Sequence, residues 1–255
     1  MTLVFKKFLL IKYFFLRIFV RKYKISPIKH YGFILNDYLI NFNNDLDLLF
    51  YKYGSDKGGR FKNKYLGWHP HNYAQIYNDL FFHLRKKKFN FLEVGIGSVD
   101  RNIKSSLPSF AKSGASLRAF RDYFFKANIY GCDIDDKVLF EENRIKTFCL
   151  DQTSKKLVKK FFTDQNKFFL IIIDDGLHTF EANISFFETA IKYLLKKKRG
   201  VGEGMYIIED VNEFDLKRYY DYFLRLNKKF KVNFYNIHNL KFYGRSNNFI
   251  LIRKI

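Results

Sequence analysis

The sequence predicts an α/β protein built on a doubly wound, mostly parallel sheet. From residue 89 onward, short apolar runs alternate with stretches of helical periodicity. Each run is apolar throughout and closes on an acidic residue or a turn, which is typical of strands buried on both faces of a parallel sheet. Because such strands and helices join by right-handed crossovers, the order predicts helices on both sides of one sheet.

The individual elements follow from this alternation. Strands are predicted at 89–94, 128–134, 147–151, 168–174 and 205–211. Helices are predicted at about 73–84, 181–198 and 215–229, and a loop followed by a helix fills 109–127. The glycine-rich stretch before residue 73 is predicted to be a loop. The chain closes on a predicted hairpin, KVNFYNI followed by NFILIRK.

We divide the chain into an N-terminal extension, 1–50, and a main domain, 51–255. Residues 1–25 are apolar and aromatic, with basic residues that interrupt every run, so no stretch approaches the ~20 residues of a membrane-spanning helix. A basic amphipathic helix at the inner face of an anionic membrane would fit this pattern. We favour the alternative, a helix packed on the protein's own body or on a second copy of the chain.

Composition narrows the class of protein. Lys and Arg number 46 against 25 Asp and Glu, a net charge of +21 that favours an anionic partner, although compositional drift explains it equally well. Two cysteines in apolar strand-like runs, Cys132 and Cys149, predict buried thiols in a reducing, cytoplasmic setting. No nucleic-acid recognition module is visible, so charge alone gives little support for nucleic acid as a partner.

Ligands of an open parallel sheet collect beyond the carboxyl ends of its strands, so the polar residues there are the informative ones. The run FLEVGIGS places Glu93, Gly95, Gly97 and Ser98 directly after the first strand. Glycines let the backbone turn sharply and approach a ligand closely. Asp100 stands where a dinucleotide fingerprint needs glycine, which argues against a pyrophosphate site. A purely structural turn is the alternative.

The second and third strands end in residues suited to an adenosine. Asp133 could accept hydrogen bonds from the two ribose hydroxyls, and Asp135 could compete for that role. Asp151 and Gln152 would lie where an adenine amine could bind. A helix N-cap at Asp151 or Thr153 explains the latter pair equally well.

The fourth and fifth strands end in four carboxylates, those of Asp174, Asp175, Glu209 and Asp210. Crowded carboxylates repel unless a positive charge lies between them, and a hard divalent cation such as Mg²⁺, or else Mn²⁺, would supply it. His178, three residues beyond Asp175, could act as a base. The alternative assigns the acids to helix caps and to salt bridges with lysines.

Together these motifs resemble the class I S-adenosylmethionine-dependent methyltransferases. Within that class, the similarity is closest to the metal-dependent sugar O-methyltransferases of macrolide and polysaccharide pathways. The segments GSDKG (54–58), HNYAQIYNDLF (71–81) and GASLRAFRDYF (114–124) are also similar to that subgroup. The resemblance covers roughly residues 50–255. It implies a seven-stranded sheet whose last strand is antiparallel, in agreement with the predicted hairpin.

The resemblance also implies roles for particular residues. Asp175, Glu209 and Asp210 would bind the metal, and His178 would be the general base. Residues predicted to contact S-adenosylmethionine are Glu93, Gly95, Gly97, Ser98, Ser116, Arg118, Asp133, Asp151, Gln152, Asp174, Lys57 and Tyr73. Of these, Lys57 and Tyr73 would close over the site.

The predicted reaction is transfer of a methyl group from S-adenosylmethionine to a sugar hydroxyl. The positive charge favours a nucleotide-activated acceptor such as GDP-heptose, a precursor of surface polysaccharide. The alternatives are an O-methyltransferase of a small phenol or other natural product, a nucleic-acid methyltransferase, and a binding module without activity. The run DDGLH differs from the Asn/Asp-Pro-Pro-aromatic motif of base methylation, which argues against a nucleic-acid methyltransferase. A binding module would not need both the acids and His178, which argues against a protein without activity.

Overall fold

The computed structural model describes residues 35–38, 44–59, 70–108, 111–237 and 248–255. In this part of the chain, nine strands form one sheet: β1 (Leu35–Tyr38), β2 (Asn90–Val94), β3 (Asn128–Asp133), β4 (Glu141–Glu142), β5 (Ile145–Cys149), β6 (Ile171–Asp174), β9 (Met205–Val211), β10 (Phe230–Ile237) and β11 (Asn248–Lys254). Their order across the sheet is β1-β10-β11-β9-β6-β2-β3-β5-β4. A separate hairpin pairs β7 (Lys197–Lys198) with β8 (Gly202–Glu203).

The predicted fold class is confirmed. Strands β5, β3, β2, β6 and β9 are parallel neighbours, and β11 inserts antiparallel between β9 and β10. These seven strands form the predicted sheet with its antiparallel last strand. The short strands β1 and β4 extend it at the two edges, and neither of them is predicted by the sequence pattern.

Helices cover both faces of the sheet. The helices are α1 (Asp45–Tyr53), α2 (Ala74–Phe81), α3 (Ala115–Tyr123), α4 (Lys155–Gln165), α5 (Phe180–Ala190) and α6 (Leu216–Leu224). Side chains from α1, α2 and α3 form one apolar cluster with one face of the sheet, and those from α4, α5 and α6 form a second cluster on the other face. Alternate residues of β2 divide between the two clusters, since successive side chains of a strand point to opposite faces.

Three local predictions differ from the structure. The predicted helix 181–198 ends at Ala190, and after a 3-10 turn Leu194 is extended, bridging to Phe169, so that Lys197–Lys198 can enter the β7–β8 hairpin. Cys132 is buried as predicted, but Cys149 is exposed because it ends β5, next to the edge of the sheet. The predicted helix 215–229 ends at Leu224, because hydrogen-bonded turns follow it. Helix α1 crosses residue 50, and the division of the chain at that residue stays a prediction.

The N-terminal segment 1–25 lies outside the described residues, and its membrane-surface and packed alternatives stay predictions. Within 44–59, 70–108, 111–237 and 248–255, no helix combines the length and apolarity that crossing a bilayer requires.

Candidate active site

A cavity of about 780 Å³ opens at the carboxyl ends of β2, β3, β6 and β9. Its walls come from the glycine turn after β2, the segment 102–108, the ends of β3 and β6, and the loops that carry Lys57 and His71. Parallel strands bring these ends to one rim, which is why residues far apart in sequence meet here. A volume of this size is typical of sites for small molecules and cofactors.

The glycine turn after β2 is fixed by both backbone conformation and close packing. Gly95 and Gly97 have φ of +83° and +94°, values that glycine adopts readily and other residues do not. A β-carbon on Gly95 would overlap the carbonyl oxygen of Asp175. The turn therefore brings the end of β2 into direct backbone contact with the end of β6.

Asp133 holds this turn in place. Its carboxylate accepts hydrogen bonds from the backbone N–H groups of Ile96 (2.9 Å) and Gly97 (3.2 Å), and from that of Asp135 (3.0 Å). Asp135 in turn accepts a hydrogen bond from the Ser98 hydroxyl at 2.5 Å. Asp133 lines the cavity, so its predicted contact with a ribose stays a prediction beside this observed role.

Residues that follow β5 form hydrogen bonds with the adjoining loops and strand ends. The Asp151 carboxylate accepts hydrogen bonds from the backbone and the hydroxyl of Thr153, while Ser154, and not Asp151 or Thr153, caps helix α4. Gln152 donates to Asp174 at 3.0 Å and accepts from the backbone of Leu177 at 2.8 Å. Asp151 and Gln152 both line the cavity, where an adenine is predicted to bind.

Two residues predicted to contact the cofactor have other partners. Asp174 is fully buried and accepts hydrogen bonds from Gln152 and from the hydroxyl of Tyr206, and burial raises the pKa of its carboxyl to about 6. Arg118 stacks on Phe140 and bonds Glu142. Both lie outside the lining of the cavity, as do Glu93 and Tyr73, which are fully buried. Ser116 lines the cavity and donates to Glu93 at 2.8 Å.

Lys57 lies at the centre of three carboxylates. Its ammonium donates hydrogen bonds to Asp175 and Glu209 and lies 3.3 Å from Glu93, although the side chain is only 4% exposed. Burial by itself lowers the pKa of the Lys57 ammonium, but the three negative charges outweigh it and raise the pKa well above its ordinary value. Burial, partly offset by Lys57, raises the pKa of Glu93 to about 7.

Three groups that could hold a metal ion meet beside Lys57. One ligand atom each from Asp175, His178 and Asp210 lies within 4.8 Å of the other two. His178 and Asp210 have φ of +57° and +50°, a left-handed backbone that is uncommon outside glycine and often marks a functional site. The two carboxylates, those of Asp175 and Asp210, supply oxygen ligands that fit a hard divalent cation such as Mg²⁺ or Mn²⁺.

Glu209, the third predicted metal ligand, is directed elsewhere. One of its carboxylate oxygens accepts a hydrogen bond from Lys57 and the other accepts one from the Tyr77 hydroxyl. Its side chain is almost fully buried, and burial raises the pKa of its carboxyl well above the ordinary value. The part of Glu209 in metal binding stays a prediction.

His71 lines the same cavity, although the sequence pattern does not predict it as a site residue. Its Nδ1 lies 3.0 Å from Oδ1 of Asp210, and its Nε2 lies 3.6 Å from Oδ2 of Asp56. Burial by itself lowers the pKa of His71, but the Asp210 charge and hydrogen bonds to both acids raise it well above the ordinary value. The segment HNYAQIYNDLF contains this histidine, yet nothing in its spacing identifies the strand end that the ring faces.

Curated proteins similar to this chain are O-methyltransferases. The chain is 29% identical over 160 residues to 8-demethyl-8-alpha-L-rhamnosyl tetracenomycin-C 2'-O-methyltransferase from Streptomyces olivaceus, 63% of this chain and 36% of that protein. It is 32% identical over 141 residues to demethylmacrocin O-methyltransferase from Streptomyces fradiae, and the match covers 55% of this chain and 32% of that protein. It is 30% identical over 167 residues to mycinamicin VI 2''-O-methyltransferase from Micromonospora griseorubida, and the match covers 66% of this chain and 36% of that protein. The matches span about a third of each relative's length.

Solved structures agree on the fold. MycE methyltransferase from the mycinamycin biosynthetic pathway, in complex with Mg and SAH, superposes with a TM-score of 0.58 and 21% identity over 83% of this chain and 55% of that one. No family model matches the sequence. By sequence, the chain is similar to O-methyltransferases, among them those named for demethylmacrocin and mycinamicin VI.

Proposed function

We propose that this chain transfers a methyl group from S-adenosylmethionine to a sugar hydroxyl with the help of a divalent cation. The observation that carries the proposal is the meeting of Asp175, His178 and Asp210 in the same cavity as the glycine turn after β2. One cavity thus combines a wall suited to the cofactor with a cluster suited to a cation. The relatives' names, which are those of O-methyltransferases, support the same reaction.

The cofactor would lie along the glycine turn. Gly95 and Gly97 form a tight turn whose backbone lines the cavity, and Asp133, Asp151 and Gln152 line the part of the cavity beyond the turn. Glu93 and Ser116 form a hydrogen-bonded pair beneath it, close to Lys57. These contacts fit a ligand that is polar at both ends, as S-adenosylmethionine is.

The cation would be held by carboxylate oxygens of Asp175 and Asp210, and we retain Glu209 as the third ligand of the proposal. When bound, a divalent cation stabilises the negative charge that develops on a hydroxyl as its proton leaves. Lys57 keeps the positive charge among Glu93, Asp175 and Glu209 that such crowding requires.

His178 would accept the proton of the sugar hydroxyl. Its Nδ1 is buried, so Nε2, 4.0 Å from Oδ1 of Asp175, is the nitrogen open to the cavity. A well-placed base contributes about 10²–10⁴-fold to rate. The sulfonium methyl group needs no activation of its own, so alignment of hydroxyl oxygen, methyl carbon and sulfur supplies much of the remaining acceleration.

Two classes of acceptor carry such a hydroxyl. The relatives' names, such as mycinamicin VI 2''-O-methyltransferase, favour a glycosylated natural product. The net charge of +21, with Lys104 and Lys112 in the cavity wall, favours a nucleotide-activated sugar such as GDP-heptose. The assignment to surface polysaccharide stays a prediction.

A screen with radiolabelled S-adenosylmethionine tests the proposal. Macrolide glycosides, nucleotide sugars and a catechol are offered in parallel, each with Mg²⁺ and with excess chelator. We expect label in one of the two sugar classes, and loss of that label on chelation. Label in the catechol alone would refute the sugar assignment, and label unaffected by chelator would refute the role of the metal.

A further inference from the structure

His71 connects two acidic side chains at the edge of the proposed metal site. Its Nδ1 lies 3.0 Å from Oδ1 of Asp210, and its Nε2 lies 3.6 Å from Oδ2 of Asp56. Because both ring nitrogens face carboxylates, neither is directed at an acceptor hydroxyl. The geometry therefore indicates a structural task for His71 at the site, distinct from the task of a base.

Backbone hydrogen bonds and one ring contact hold the segment that carries His71. The backbone N–H of His71 donates to the carbonyl of Asp56 at 2.8 Å, and that of Ala74 donates to the carbonyl of Lys57 at 3.1 Å. Between them, Asn72 donates to Gly58 at 3.2 Å. The His71 ring also stacks on Tyr73, with centroids 5.3 Å apart and planes at 20°. Residues 56–58 and 71–74 are thus joined by backbone hydrogen bonds, which fix the position of the imidazole.

Asp210 is the carboxylate that His71 and Tyr73 contact. Its Oδ1 accepts a hydrogen bond from the Tyr73 hydroxyl and also faces Nδ1 of His71. The described residues place no comparable donor on Oδ2, so one oxygen of the carboxylate is fixed and the other is left for a ligand. Within the described residues, Tyr73 and His71 are therefore the groups that set the direction of this carboxylate.

We propose that His71 is a positioning residue that fixes Oδ1 of Asp210, so that the second oxygen is presented to a divalent cation shared with Asp175. This inference rests on the proposed function, because it assumes that Asp175 and Asp210 bind a metal ion. Groups that orient a metal ligand from behind typically change metal affinity by about 10–100-fold when they are removed.

The test measures binding of Mn²⁺ alone to the full chain by electron paramagnetic resonance, with binding of S-adenosylhomocysteine measured by calorimetry beside it. His71→Phe keeps the stacked ring and removes both ring N–H groups. His71→Asn restores a donor at the position of Nδ1, toward Asp210, whereas His71→Gln restores one at the position of Nε2, toward Asp56. His83→Asn, a change at an exposed histidine in another part of the fold, is the matched control.

We expect His71→Phe to weaken Mn²⁺ binding about 10–100-fold, and His71→Asn to recover most of that loss while His71→Gln does not. S-adenosylhomocysteine should bind all four variants as it binds the unmodified chain. Equal Mn²⁺ affinity in His71→Phe and the unmodified chain would overturn the inference. So would equal recovery by His71→Gln and His71→Asn, and this comparison still decides if His71→Phe does not fold. Absence of Mn²⁺ binding by the unmodified chain would overturn the proposed metal site as well.

Discussion

The ammonium of Lys57 lies 3.3 Å from the Glu93 carboxylate, which connects the wall predicted for the cofactor with the acids predicted for the metal. The same ammonium donates to Asp175 and Glu209. The sequence predicts that a positive charge must lie among these acids, and in the structure a lysine from a distant loop provides one. A metal ion and Lys57 would therefore share the task of balancing this charge.

Lys57→Met should destabilise the fold, because it leaves buried carboxylates without their counter-charge. Breaking a buried ion pair by removing one partner costs about 3–5 kcal/mol. Urea unfolding measures the change, and Mg²⁺ should restore part of the loss. Lys52→Met is the control, since Lys52 is 60% exposed and pairs with Asp122 at the surface. Equal stability of both variants would show that the three acids do not need Lys57.

Gly95→Ala should distort the site more than its backbone angle alone explains. The added β-carbon would meet the carbonyl oxygen of Asp175, whereas Gly200, with φ of +69°, has open space around it. Gly200→Ala should therefore cost only the left-handed backbone, about 1–2 kcal/mol. We expect Gly95→Ala to lose more stability by urea unfolding and to bind S-adenosylhomocysteine more weakly. Similar losses in both variants would contradict this account.

Asp133→Asn should weaken binding of S-adenosylhomocysteine, because an amide has one accepting oxygen where the carboxylate has two. The backbone N–H groups of Ile96, Gly97 and Asp135 all depend on that carboxylate. Loss of a hydrogen bond to a charged group costs about 1.5–3 kcal/mol, roughly a 10–100-fold change in affinity. Calorimetry measures it, with the exposed Asp136→Asn as control. Unchanged affinity in Asp133→Asn would remove this carboxylate from the cofactor site.

His178→Gln should lower turnover by about 10²–10⁴-fold on the best acceptor from the screen, which is the usual contribution of a general base. Binding of S-adenosylhomocysteine should be unchanged, since the described contacts of His178 are with Asp175 and not with the glycine turn. Turnover is followed by transfer of labelled methyl groups, and His83→Gln serves as the control. Full activity in His178→Gln would assign the base to another residue.

The sequence by itself determined the sheet and its chemistry-bearing rim. Continuous apolar runs such as the one that ends at Asp174 predict buried strands, and the acids that follow them must meet because parallel strands end on one edge. The sequence also predicts the hairpin of β10 and β11, in which β11 contains a continuous apolar run while β10 mixes apolar and polar residues. Local pattern is sufficient where burial on both faces dictates the residue types.

Only the tertiary structure decided which groups face one another within that rim. The early end of α5 depends on a bridge between Leu194 and Phe169, which no local pattern records. Likewise, the apposition of His71 with Asp210, and of Lys57 with Glu93, joins loops to strand ends that lie far away along the chain. Sequence spacing places residues along an element, whereas side-chain partners across elements are set by packing in three dimensions.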